Sequence, residues 1–340
     1  MSTHKFFERR QLIYLAILAL GIFLLVPHFI GFERVVDLLL RAQPLLLILA
    51  LAAEVSRYFV SAGSTLALAR LFDRRVPLAP MTETFFAGAA LNRTFSTGGA
   101  PGMFARLVFL VKHQVSAGSV AVIFLIEDLI GLIIGGIVFV VGMASLTSAQ
   151  SLPSAESLIG GFVLSSLAII LLCVYVIRNR PTVERVIHGL ARFADSISQR
   201  ALRRQIYFAD QAQRTLDDFY TGLSAARRAP GLVGISFALN IVRYIGGAAT
   251  LYLSFLAFDQ AIAPGILIVI YTAASVLTTT SAALGEVAIL GTGLTIFFLS
   301  LGVPQDATLV ALLLARAIAF WMPLFVGYFA LAHLRRRHHL

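Results

Sequence analysis

Arg93 and Arg106 bracket the segment NRTFSTGGAPGMFAR, residues 92–106. Arginine presents a planar, permanently charged fork of donors that matches a phosphate or carboxylate in bidentate fashion. Between the two arginines, Gly98, Gly99 and Gly102 let backbone N–H groups approach a ligand, and Pro101 suits the first turn of the helix that follows. A helix N-terminus adds partial positive charge at the same place. Asn92, Ser96 and Thr97 supply side chains that hydrogen-bond either a ligand or backbone freed by the turn. The chemistry suited to this segment is the binding of an anion. The plainer reading is that Gly-Gly and Pro only make a tight turn.

A second break, TSAALGE at 280–286, ends on Glu286. Other ionisable residues lie inside apolar sequence: Arg57, Arg243 and Arg316, with Glu54, Glu83, Glu127 and Asp128. An ionised side chain at bilayer depth costs about 2.5–3.5 kcal/mol on insertion scales, so it faces a partner or a wet cavity. Glu54 and Arg57 are three residues apart on one helical face, where they can satisfy each other. Glu83 lies near the mouth of its hairpin, an interfacial position. Arg93, Arg106 and Glu286 flank the two breaks and are the residues expected to carry function, Glu286 being also a candidate carrier of a coupling proton.

The elements that must position these residues are membrane helices. The 340-residue chain is 59% hydrophobic and 13% charged, with mean hydropathy +0.88, which excludes an ordinary water-soluble domain. The first apolar run, 11–30, follows KFFERR and lacks a small-x-small cleavage site, so it reads as a retained span. Cys173, the one cysteine, lies in an apolar run and reads as a packing residue.

The net charge of +10 is distributed as a membrane topology requires, not as a nucleic-acid surface does. Lysine and arginine concentrate in 1–10, 70–77, 178–228 and 335–337, whereas 143–157, 257–264 and 301–306 have none. Both termini are therefore expected in the cytoplasm, with full spans at 11–30, 44–69, 118–142, 157–177, 231–256 and 306–332. The stretches 78–114 and 264–301 must leave one surface and return to it. Within the first, 103–112 would make roughly 15 Å of helix, too short for a hydrocarbon core of about 30 Å. Each is expected to be a re-entrant hairpin facing an internal cavity.

RYFVSA at 57–62 and RYIGGA at 243–248 share Arg-Tyr and Ala, and FD recurs at 72–73 and 258–259. With the charge map, these identities divide the chain into repeats at 44–142 and 231–332 of opposite topology, with a substrate site at their interface. The expected fold is an all-α polytopic membrane protein of about six full spans plus two re-entrant helical hairpins, arranged as inverted-topology repeats.

Other features are bland. GLIIGG at 131–136 has small-xxx-small spacing and reads as helix packing. Residues 178–228 carry ten arginines against five acids, and Val183, Val186, Ile187, Leu190, Phe193 and Ile197 recur at helical spacing, as in an amphipathic helix on an anionic leaflet. Trp321, Tyr328 and the terminal RRRHHL read as membrane-end anchors. There is no phosphate-binding P-loop, His-Glu-x-x-His or cysteine pair, and no histidine in either hairpin. No enzyme activity, metal or cofactor is expected.

The stretches LNRTFSTGGAPGMFARLVFLVKHQVSAGSVAVIFLIEDLIG (91–131), GEVAILGTGLTIFFLSLGV (285–303) and LLARAIAFWMPLFVGY (313–328) resemble a family. It is the flippase-like membrane family typified by the transmembrane region of lysylphosphatidylglycerol synthases, and the resemblance covers roughly 35–335. Asn92, Gly98, Gly99, Gly102 and Arg106 match its first motif, Gly285 and Glu286 its second, and Glu127 and Arg316 two further polar positions. Met103 stands where an acid is common, Asp128 where an arginine is common, and TTTSAALGE lacks the usual proline. The chain ends soon after the last span, so a translocating module without the soluble aminoacyl-transferase domain is expected.

The resemblance implies movement of an anionic phospholipid or lipid-linked phosphate between leaflets of the cell membrane. The alternative is an ion-coupled transporter of a small polar solute; a membrane-embedded transferase comes third. Expected partners are membrane lipids and no nucleic acid, with room for a homo-oligomer and for a separately encoded lipid-modifying enzyme.

Overall fold

The computed structural model describes residues 41–95, 99–149, 155–185, 208–260, 262–263, 265–268, 271–272, 311–312, 314–315 and 317–337. Among these residues the structure is helical, with no strand. In chain order the helices are α1 (Pro44–Ala69), α2 (Leu78–Phe95), α3 (Ala100–Lys112), α4 (Ala117–Ala149), α5 (Ala155–Arg178), α6 (Phe208–Arg228), α7 (Pro230–Leu256) and α8 (Met322–Arg336). A short 3-10 turn, Arg70–Phe72, follows α1, and a π-helical turn, Ala317–Trp321, leads into α8.

Local chemistry explains where these helices begin and end. Proline occupies the first turn of α1, α3 and α7, where its missing N–H has no intrahelical acceptor to lose. Asp73 ends the turn after α1 with φ 55°, a left-handed conformation that aspartate tolerates better than a branched residue. Four stretches are long and apolar enough to cross a membrane: Pro44–Phe72, Ala117–Gly142, Pro230–Leu256 and Ala317–Arg336. Leu45, Ile48, Ile137, Leu164, Ile245 and Phe329 stay exposed on these helices and on α5, as side chains facing lipid must.

α1 and α7 pack antiparallel along their lengths. Gln43 donates from its backbone N–H to Ala257 O (3.0 Å), Thr250 Oγ1 to Ala50 O (3.4 Å), and the Ser64 and Ser236 hydroxyls meet at 2.7 Å. Gly246 permits this approach, because a Cβ there would lie 2.9 Å from Arg57 Cγ. Asn240 Nδ2 donates to Ser64 Oγ (2.8 Å) and to Ser236 O (2.9 Å), so the polar atoms in this seam are satisfied across it.

α2 runs antiparallel to α8. Glu83 and His333 meet at one end (2.7 Å) and Thr94 and Tyr328 toward the other (2.6 Å), with Gly327 against the Phe86 backbone between them. α3 folds back beside α2, and an apolar core joins these helices to α1 and α4 through Leu68, Met81, Phe109, Ile123 and Leu334. α6 docks on α4 at Gly118, where a Cβ would come within 2.7 Å of Phe219 N. Its contact is thus with the protein as well as with any lipid surface.

The first span at 11–30, most of the hairpin at 264–301, and Val186, Ile187, Leu190, Phe193 and Ile197 lie outside the described residues. Within them, α1 covers 44–69, α7 extends over 230–256, and α4 runs to Ala149, seven residues beyond the stretch 118–142.

Candidate functional site

The first hairpin has arms of unequal length, α2 with 18 residues and α3 with 13. Gly99 caps α3 with φ +87°, a conformation that L side chains rarely adopt. Asn92 Oδ1 accepts the Gly102 N–H at 2.6 Å, and a Cβ on Gly102 would lie 2.6 Å from the Asn92 amide. Gly88 packs against the same residue, its absent Cβ 3.1 Å from Gly102 Cα. Asn92 and Gly102 therefore close the hairpin on itself, which accounts for one amide donor at the N-terminus of α3.

One turn further along α3, Arg106 meets α4. Its guanidinium forms an ion pair with Glu127, approaches Thr65 Oγ1 on α1 at 3.4 Å, and lies 4.5 Å from the ring centroids of both Phe85 and Phe124. Two rings and a carboxylate are an environment in which a guanidinium is stable away from water. Thr65 donates to Glu127 Oε1 at 2.5 Å, so α1, α3 and α4 converge on this carboxylate. Arg106 Nε has no hydrogen-bond partner, leaving one donor of the fork unused.

Arg93 points the other way. It donates to Ala89 O (3.0 Å) and to Ala319 O in the π-helical turn (2.6 Å), with its guanidinium 5.5 Å from the Phe320 ring centroid. Pro323 has no N–H to give the carbonyl four residues before it, and Arg93 takes that carbonyl. The two arginines of the opening motif thus anchor the hairpin on opposite flanks, Arg93 to the last span and Arg106 to α4.

A second cluster lies at the crossing of α1 and α7. Arg57 donates to Glu54 at 2.5 Å, the carboxylate being 2% exposed, and its guanidinium stands 5.8 Å from the Tyr271 ring centroid. Arg243 donates from Nε to Asn240 Oδ1 at 3.1 Å. Arg57, Glu127, Tyr244 and Tyr271 are electrostatic neighbours of Arg243, and Asp128 is a neighbour of Glu127, Arg106 and Arg243. Glu127 therefore links the two clusters, with Asp128 exposed beside it.

Sequence reasoning brought Asn92, Gly99, Gly102, Arg106 and Glu127 into the site, and the structure gathers these within one hairpin and its contact with α4. Gly98, Gly285, Glu286 and Arg316 lie outside the described residues. Arg243 and Asp128 stood out as buried charges without a role, and Thr65 was missed altogether. The signal for Arg243 was its place opposite Arg57 in the RY pairs; a threonine in an apolar helix carries no signal of its own. Among the described residues no group of three His, Cys, Asp or Glu side chains is placed to hold a metal ion.

Outside the spanning helices, Arg180 donates to Glu184 at 2.7 Å and also pairs with Asp217 on α6. The Glu184 hydrogen bond raises the Arg180 guanidinium above its ordinary value, and burial pushes the Tyr220 phenol up.

Lipid-facing helices around paired charges define a polytopic helical membrane protein with a polar interior. A family model for the transmembrane region of lysylphosphatidylglycerol synthases matches residues 11–327, and the chain belongs to that family. Comparison with curated proteins gave no match. The family relates the chain to membrane proteins of lipid modification and translocation.

Proposed function

We propose that this protein translocates an anionic phospholipid or a lipid-linked phosphate between the leaflets of the cell membrane, leaving the lipid chemically unchanged. The observation that carries the reading is the Arg106–Glu127 pair, a charge-assisted contact between hairpin and span at membrane depth. A phosphate competes with a carboxylate for the same guanidinium fork, so binding exchanges one partner for another without stranding the cation. Arg106 receives the headgroup in this scheme, Arg93 holds the hairpin against the last span from its other flank, and Glu127, Glu286 and Arg316 complete the polar path. Family membership and the lipid-facing exterior support a lipid as cargo. The two halves work as inverted repeats, with both termini cytoplasmic.

The test is leaflet exchange of headgroup-labelled neutral, anionic and polyprenyl-phosphate lipids in vesicles carrying the purified protein, beside Arg106→Ala. Accelerated exchange of an anionic class, lost in the variant, is the expected result. No acceleration of any lipid by correctly inserted protein under an imposed proton gradient would overturn the reading in favour of small-solute transport. A covalently altered lipid would identify a transferase instead.

A further inference from the structure

Arg243 lies thirteen residues from Pro230 and thirteen from Leu256, at the middle of α7, and Arg57 lies at the middle of α1. At about 1.5 Å per residue, each is roughly 20 Å from either end of its helix. Among the described residues, the only hydrogen bond made by Arg243 is from Nε to Asn240, so both terminal nitrogens of its fork are left over. Such a donor pair at the centre of a span is costly unless something else satisfies it.

The helix opposite makes room for that something. On α4, Asp128, Gly131 and Gly135 share one face, at i, i+3 and i+7. A Cβ on Gly131 would lie 3.8 Å from an Arg243 terminal nitrogen, and one on Gly135 would lie 3.4 Å from the Tyr244 hydroxyl. Both glycines thus bring α4 up to a polar side-chain tip of α7, whereas Gly118 and Gly327 meet mostly backbone and a neighbouring Cβ. Asp128 is exposed and makes no hydrogen bond or ion pair among the described residues. The groups facing Arg243 are therefore Asp128 and Glu127 on α4, Arg57 on α1, Tyr244 on its own helix, and Tyr271.

We infer that the α4–α7 seam, built from Arg243, Tyr244, Asp128, Gly131 and Gly135, is the place where a phosphate group crosses the membrane midplane. This rests on the translocation reading above and adds the second station that the hairpin alone lacks. Arg106 is enclosed by Glu127 and two rings, whereas Arg243 presents two terminal nitrogens to a face of α4 that carries no side chain at Gly131 or Gly135. Asp128 stands at the edge of the seam as a counter-charge that keeps the phosphate from being held too tightly. The recognised chemistry is a phosphate, carried either by a lipid headgroup or free in solution.

The experiment uses full-length protein in vesicles of phosphatidylcholine with phosphatidylglycerol, following leaflet exchange of labelled phosphatidylglycerol and, separately, uptake of radioactive inorganic phosphate. Arg243→Gln should slow the phosphate-bearing cargo about tenfold or more, the cost of losing charge-assisted hydrogen bonds. Gly131→Leu, which keeps every charge and sets a bulky side chain against Arg243, should do the same, while Leu164→Ala, at a lipid-facing position of α5, should remain near the parent rate. If Arg243→Gln does not elute as a monodisperse protein, Gly131→Leu decides. Parent-level lipid exchange in Gly131→Leu and in folded Arg243→Gln, with Arg106→Ala inactive, overturns this inference and leaves the translocation reading standing. Loss of inorganic phosphate uptake in the same variants, without lipid exchange in the parent, keeps the seam and assigns it a soluble cargo. A parent that moves neither overturns both.

Discussion

Neutralising Arg106 and Glu127 together should destabilise the protein by less than the sum of the two single neutralisations. The two side chains are 12% and 16% exposed, so they form a largely buried pair. Removing one member of such a pair leaves an uncompensated charge and costs about 3–5 kcal/mol. For Glu127→Gln the low end applies, about 3 kcal/mol, because Thr65 and the rings of Phe85 and Phe124 still surround the cation. Arg106→Gln forfeits both ring contacts as well as stranding Glu127, and should cost about 4–5 kcal/mol. The double variant strands nothing, so its cost should fall short of the sum by about 2 kcal/mol. Reversible unfolding in mixed micelles, read by the fluorescence of the single tryptophan, Trp321, measures all four proteins. Costs that add to within about 0.5 kcal/mol would refute the reasoning and make each residue an independent packing element.

Two further predictions concern glycines. Gly102→Ala should cost about 2 kcal/mol, because its Cβ displaces the Asn92 amide that accepts the Gly102 N–H; combining it with Asn92→Ala should recover part of that loss in the same unfolding assay. Gly118→Leu should release α6 from α4, since the new side chain meets backbone at Phe219 and the Asp218 Cβ; faster hydrogen exchange confined to 208–228 is the expected signature, and unchanged protection there would contradict it.

The helices were legible because their rules are local. Pro44, Pro101 and Pro230 mark helix starts, Gly99 marks the hairpin turn, and hydropathy measures length. The Glu54–Arg57 pair was legible for the same reason, being separated by a single turn. What was not legible depends on which helices become neighbours. The ion pair between Arg106 and Glu127 spans 21 residues and two helices, and nothing in either stretch fixes the rotation that brings them together. Asn92 was read as a ligand to cargo or to freed backbone, and it is the second of these. GLIIGG read as a packing motif, and Gly131 and Gly135 do lie against α7, but glycine spacing could not tell that the atoms opposite belong to Arg243 and Tyr244. That α6 rests on α4 was equally hidden, since an amphipathic face suits protein and lipid alike.

Among the described residues, the spans and first hairpin place Arg57, Arg93, Arg106 and Arg243 at membrane depth with Glu54, Glu127 and Asp128, and Arg93 is held by two carbonyls, the Tyr58 hydroxyl and the Phe320 ring. Formal charge there is therefore one unit positive. Fixed positive charge in a low-dielectric passage raises a barrier to protons and metal cations, as it does in pores that must carry one species without conducting another. On the proposed translocation, the same arginines that admit an anion keep a proton gradient from discharging through the passage, however often it opens and closes.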